Sequence, residues 1–112
     1  MYIRIIVQGK LFFKKEKSFD KSLRMFRHRE ENYYKEELPF TDEDIFNREE
    51  LAIVIPRMAE QVTEKMWKNT KDALEYLAQF AVAGYVGLWH TESGEIQDHL
   101  GVVPESDKGI IN

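Results

Sequence analysis

Four groups of side chains in this sequence have the types and spacing to do chemistry. His90 and His99 flank Ser93-Gly94, a residue pair suited to a tight hairpin turn. On such a hairpin the two imidazoles share a face as diagonal neighbours with Glu92 and Glu95 close by, a donor set able to take a divalent metal. A polar hairpin end with two solvated histidines accounts for the same residues, so the expectation is no metal and no cofactor. Lys14, Lys15, Lys17, Lys21, Arg24 and Arg27 line a predicted helix and its lead-in, next to Phe12 and Phe13. Cations beside flat rings are what single-stranded nucleic acid requires, although lysines there also serve to guard a strand edge. Glu30 projects from an otherwise apolar helical stripe, where burial would raise its pKa, and Arg27 or a tyrosine hydroxyl is placed to pair with it.

The fourth group is apolar. From Phe80 to Trp89 the only polar side-chain groups are the Tyr85 hydroxyl and the Trp89 indole N–H. A strand apolar on both sides needs both sides covered, which points to a partner surface built from Tyr85, Val86, Leu88 and Trp89. Trp67, about 100° off the centre of a predicted helical stripe, is a further anchor for such a surface.

Motifs of familiar enzymes do not occur: there is no Gly-rich phosphate loop, no H-E-x-x-H and no G-x-S-x-G. The four serines fall at predicted caps, turns or the tail. The absence of cysteine excludes disulfides, zinc–thiolate sites and cysteine nucleophiles. A net charge of −4 argues against a dedicated duplex-DNA binder. No apolar run approaches the roughly 18 residues of a membrane span, and the N-terminus lacks a signal-peptide cleavage pattern. The expected address is cytoplasmic.

These residues need elements to position them. Tyr2–Gln8 reads as a strand, and Leu11-Phe12-Phe13 as a second segment beyond Gly9, which is either a hairpin turn or a bulge. Ser18 or Asp20 caps a helix running to about Glu37, with Phe19, Leu23, Phe26, Tyr33 and Tyr34 inward. Thr41–Asn47 begins with a capping residue and three acids, the start of a short helical turn. Asn47 and Glu50 form a capping box, and Phe46 with Leu51 a hydrophobic staple, so a helix is expected from Arg48 with a kink at Pro56. A buried strand over 51–55 is the competing reading. Arg57 to Phe80 carries the period of one long amphipathic helix, the expected spine of the fold. After it comes the hairpin about Ser93-Gly94, with Thr91 facing Ile96, Trp89 facing Asp98 and Tyr85 facing Val102.

At 112 residues the chain is long enough for one domain. The expected class is α+β: a single small domain over residues 1–103 and a polar tail over 104–112. An antiparallel sheet of three to four strands, from the N-terminal segment and the C-terminal hairpin, packs against the long helix and a second helix. The expected function is a small non-enzymatic interaction module, an accessory or regulatory protein acting through its apolar surface as a homodimer. The alternative is an accessory protein that binds single-stranded nucleic acid on the basic face of its first helix.

Overall fold

The computed structural model describes residues 2–104, so all but the first residue of the predicted tail lies outside it. The chain forms β1 (Tyr2–Phe12), α1 (Glu16–Arg29), a π-helical turn (Glu30–Tyr34), α2 (Asp42–Ile45), β2 (Phe46–Asn47), β3 (Ala52–Thr63), α3 (Glu64–Ala78), β4 (Ala83–Glu92) and β5 (Glu95–Val102). The fold is α+β, with one antiparallel sheet of five strands in the order β2-β3-β1-β4-β5. With α1 after β1 and α3 after β3, the first four strands make a split β-α-β arrangement, and β5 extends its edge.

All helices lie on one side of the sheet. Ile5, Val7 and Leu11 of β1, Ile53, Ile55 and Val62 of β3, and Val86 and Leu88 of β4 point to that side. They meet Phe19 and Phe26 of α1 and Leu74 and Leu77 of α3 in one buried cluster. Phe46 of β2 sits among Phe13, Phe19 and Phe26 at centroid distances of 6.4, 5.5 and 5.7 Å. The two helical segments are tied to each other by Tyr34, which donates to Asp72 Oδ2 of α3 at 2.6 Å, and by Arg29, which reaches the same oxygen at 2.8 Å.

Gly9 lies within one long strand, beside a bulge that β3 carries. Its φ of +152° is a conformation side chains avoid, and a Cβ there would run into the Tyr85 carbonyl of β4. Opposite Gln8, β3 carries an extra residue: Pro56 and Arg57, both exposed, fill the gap between the Val7–Met58 and Gly9–Ile55 pairs. Proline is tolerated there because β2 pairs only with Ala52 and Ile53, which leaves the outer edge of β3 unpaired at Pro56.

The predicted spine is therefore half strand. Residues 57–63 complete β3, and Thr63 caps α3 by accepting from the Met66 amide at 3.1 Å. The stretch 51–55, expected to be helical, is also strand. Half of the expected capping box at Asn47 and Glu50 forms: the Glu50 amide donates to Asn47 Oδ1 at 3.1 Å, while Glu50 Oε2 takes the Asn47 side-chain amide at 3.2 Å, and the pair closes a turn. Leu51 leaves that turn with a left-handed φ of 49°, and its carbonyl takes the Phe13 amide at 2.8 Å. Long-range pairing with β1 overrides the local start signal.

The hairpin turns at Ser93-Gly94 as expected, with Glu92 opposite Glu95 and Thr91 opposite Ile96. The register then slips by one residue: His90 faces Asp98, Trp89 faces His99 and Leu88 faces Leu100, leaving Gln97 as a bulge. One extra residue transfers everything after it in β5 to the other side of the sheet.

Candidate functional site

That slip sorts the predicted site residues. Val86 and Leu88 are fully buried in the core, and Trp67 is 6% exposed, so none of the three can form a partner surface. Trp67 packs on His90 with ring centroids 5.5 Å apart and carries the Lys71 ammonium 4.9 Å over its ring. The helical stripe of α3 runs through Trp67, Thr70, Leu74 and Leu77; placing its start seven residues too early had rotated the expected centre away from Trp67. His90 faces the helices and His99 the opposite side, so the histidine pair is split by the sheet. Among the described residues no group of three or more His, Cys, Asp or Glu gathers to hold a metal.

The basic track on α1 is interrupted. Arg27 is bound to Asp42 at 2.9 Å, and Glu16 and Asp20, which alternate with Lys17, Lys21 and Arg24, hold Arg48 at 3.2 and 2.8 Å. Those five α1 residues line a shallow depression of about 410 Å³ with mixed charge. Lys14 and Lys15 are exposed in the connection before α1. Phe13, expected beside them as a stacking ring, is in the core; Phe12 is half-buried on the opposite side of the sheet.

Tyr85 and Trp89 do reach a surface, and it is the side of the sheet that no helix covers. Tyr85 is 45% exposed and Ile96 is 62% exposed. Strand alternation brings Arg4, Ile6, Gln8, Lys10 and Phe12 of β1 to this side, next to Thr91, Trp89, Gly87, Tyr85 and Ala83 of β4 in that register. His99 and Gly101 of β5 adjoin them.

Glycines leave the room that these rings occupy. A Cβ at Gly87 would meet the Trp89 indole, and one at Gly101 would stand 2.8 Å from the Tyr85 ring. Trp89 stacks on His99 at a centroid distance of 4.9 Å and an angle of 17°, and the Tyr85 hydroxyl lies 3.0 Å from His99 Nε2. Tyr85, Trp89 and His99 thus gather on this side, with one face of the indole taken by the His99 ring. Along β4, Tyr85 and Trp89 are four residues apart, ~13 Å at ~3.3 Å per residue.

The charge on this side is one-signed. Arg4 and Lys10 of β1 and Arg57 at the bulge of β3 are cationic, and no strand residue alternating to this side, among those described, is acidic. The carboxylate that does reach it, Glu50, comes from the turn before β3 and holds Lys10 at 3.0 Å. In a chain of net charge −4, such a segregation makes this face the natural seat for an anion. The sequence carried part of the signal in β1, where Arg4, Gln8 and Lys10 share one side and Ile5, Val7 and Leu11 the other, but the neighbouring rings are placed only by the pairing of β1 with β4.

A second feature lies on the helix side. Arg27, Glu30, Tyr34, Phe40 and Asp42 line a groove of about 1000 Å³ between the π-helical turn and α2. Burial, then the neighbouring Asp42 carboxylate, pushes the Glu30 carboxyl up to about 7. Asp42 lies below the ordinary carboxyl range despite its own burial, because it bonds to Arg27 and to Glu30. The pairing of Glu30 is thus with Asp42, where Arg27 or a tyrosine was expected.

Comparison with family models, with curated proteins and with solved structures finds no match for this chain.

Proposed function

We propose that the protein is a non-enzymatic accessory module that binds single-stranded nucleic acid on the uncovered face of its sheet. The observation that carries this reading is the aromatic cluster of Tyr85, Trp89 and His99, seated against Gly87 and Gly101 and bordered by Arg4, Lys10 and Arg57 without strand carboxylates among the described residues. Unpaired bases stack on such rings whatever their sequence, and their phosphates reach the flanking cations. The register supports this division of labour. Lys10 stands opposite Tyr85, and Arg4 is diagonal to Trp89, so each ring has a cation beside it on the neighbouring strand. A duplex, with its bases already stacked, offers nothing to the rings.

A second copy of the chain is the other occupant this face admits. Two copies pressed face to face would set Arg4, Lys10 and Arg57 of one against those of the other, with only Glu50 at hand among the described residues to balance them, which disfavours the homodimer.

The test is titration of a labelled oligothymidylate and of a duplex of equal length, followed by anisotropy at several salt concentrations. With three phosphate contacts, log K against log salt should fall with a slope of about −2 for the single strand. Trp89→Ala should weaken binding roughly ten- to a hundredfold, the worth of one stacked base. Equal affinity for the duplex, or no effect of Trp89→Ala, overturns the reading. A dimer in light scattering that Trp89→Ala dissolves would move the assignment to self-association.

A further inference from the structure

The groove on the helix side holds a device independent of the sheet face. Glu30 stands at the start of the π-helical turn, and its Oε2 accepts from the Asp42 amide, the first of α2, at 3.3 Å. Its carboxyl also lies within hydrogen-bonding reach of the Asp42 carboxylate. Two carboxyls so close cannot both be ionised cheaply, so one proton is shared between them. Arg27 decides which keeps its charge: the guanidinium sits 2.9 Å from Asp42 Oδ2, so Asp42 is the anion and Glu30 carries the proton.

The other titratable groups facing the pair do not displace this assignment. Glu31 of the same turn, Lys35 and Glu36 of the connection, and Glu43 of α2 line the groove at exposed positions. The Tyr34 hydroxyl is engaged by Asp72 on α3. The connection after the turn begins with two left-handed residues, Lys35 at φ 48° and Glu36 at φ 69°, held locally by the Lys35 amide donating to the Glu30 carbonyl at 2.8 Å and the Glu37 amide to the Tyr34 carbonyl at 2.9 Å.

We propose that the Glu30–Asp42 contact is a proton-operated clasp: protonated, it holds α2 against the π-helical turn, and loss of the proton to the open groove releases α2 together with the edge strand β2. α2 is anchored to the core through Ile45, 1% exposed, which its release must unpack. Its own capping box, with the Thr41 amide donating to Asp44 Oδ2 at 2.9 Å, does not involve Glu30. β2 is held to the sheet by only two residue pairs, and Phe46 carries its contact with the core aromatics.

Hydrogen exchange of the amides from Asp42 to Asn47, corrected for intrinsic rates, tests this between about pH 6 and pH 8. Each unit by which the Glu30 pKa stands above its ordinary value corresponds to a tenfold change in the clasp equilibrium, so exchange should rise by about tenfold or more in the wild type. In Glu30→Gln, where the amide replaces the protonated acid, the rates should stay flat. Equal rises in both proteins overturn the proposal. Should Glu30→Gln not fold, the carbon-13 titration of the wild-type Glu30 carboxyl decides: a midpoint near 7 that tracks the exchange supports the clasp, and one in the ordinary carboxylate range sinks it.

Discussion

Glu50 and Lys10 show how a single side chain can tune the open face. The ion pair at 3.0 Å occupies the ammonium that stands opposite Tyr85. Both partners are exposed, so the pair itself contributes little to stability. Glu50→Gln should therefore leave the thermal midpoint nearly unchanged while tightening oligonucleotide binding several-fold at low salt, with a steeper salt dependence. Unaltered affinity in that titration would exclude Lys10 from the contact. Glu30 makes a different prediction. Its carboxyl holds a proton more tightly folded than unfolded, with a pKa of about 7 against an ordinary 4.5. The stability it contributes is complete below the lower value and is lost as pH rises toward 7. Urea unfolding across that window should show wild-type stability falling relative to Glu30→Gln; parallel curves would contradict the shift. Asp42, shifted down, acts in the opposite sense and only in acid.

At the level of elements, β4 is where the account is most exposed to test. Its alternation gives Val86 and Leu88 to the core and Tyr85 and Trp89 to the open face. Leu88→Ala should cost about 2–5 kcal/mol of folding stability, as for other buried leucines. Gly87→Ala should displace the Trp89 indole, weakening oligonucleotide binding at little cost in stability, since the ring is free to move outward. Chemical denaturation and anisotropy separate the two effects. How much of this was legible follows from which forces were local. The strand β1, the α2 turn and its cap, the hairpin turn and the α+β class could all be read from nearby residues. β3 could not: R-M-A-E-Q-V-T satisfies a helical period, and only pairing with β1 decides for the strand. The phase of β5 could not either, because no local signal marks Gln97 as the extra residue, and that one slip sets Val102 opposite Val86 where Tyr85 was expected. Glu30 stood out as a carboxyl on an apolar stripe, but the π-helical turn that sends Tyr34 inward and leaves Tyr33 64% exposed was invisible to a period of 3.6.

The whole molecule is a half-sandwich, with helices on one side of the sheet and aromatic and basic side chains on the other. The proposed binding surface rests on Arg4, Lys10 and Arg57 standing on a side where no described strand residue is acidic. The two tryptophans report on the two sides of the sheet, since Trp67 is buried under α3 and Trp89 lies on the open side. The direct measurement is a nitrogen-15 correlation spectrum of the protein titrated with a short oligothymidylate. We expect the Trp89 indole resonance and the amides of Ile6, Gln8, Tyr85 and His99 to shift progressively while the Trp67 indole stays in place. Shifts confined to Lys17, Lys21 and Arg24 on α1, or none at saturating oligonucleotide, would contradict the account.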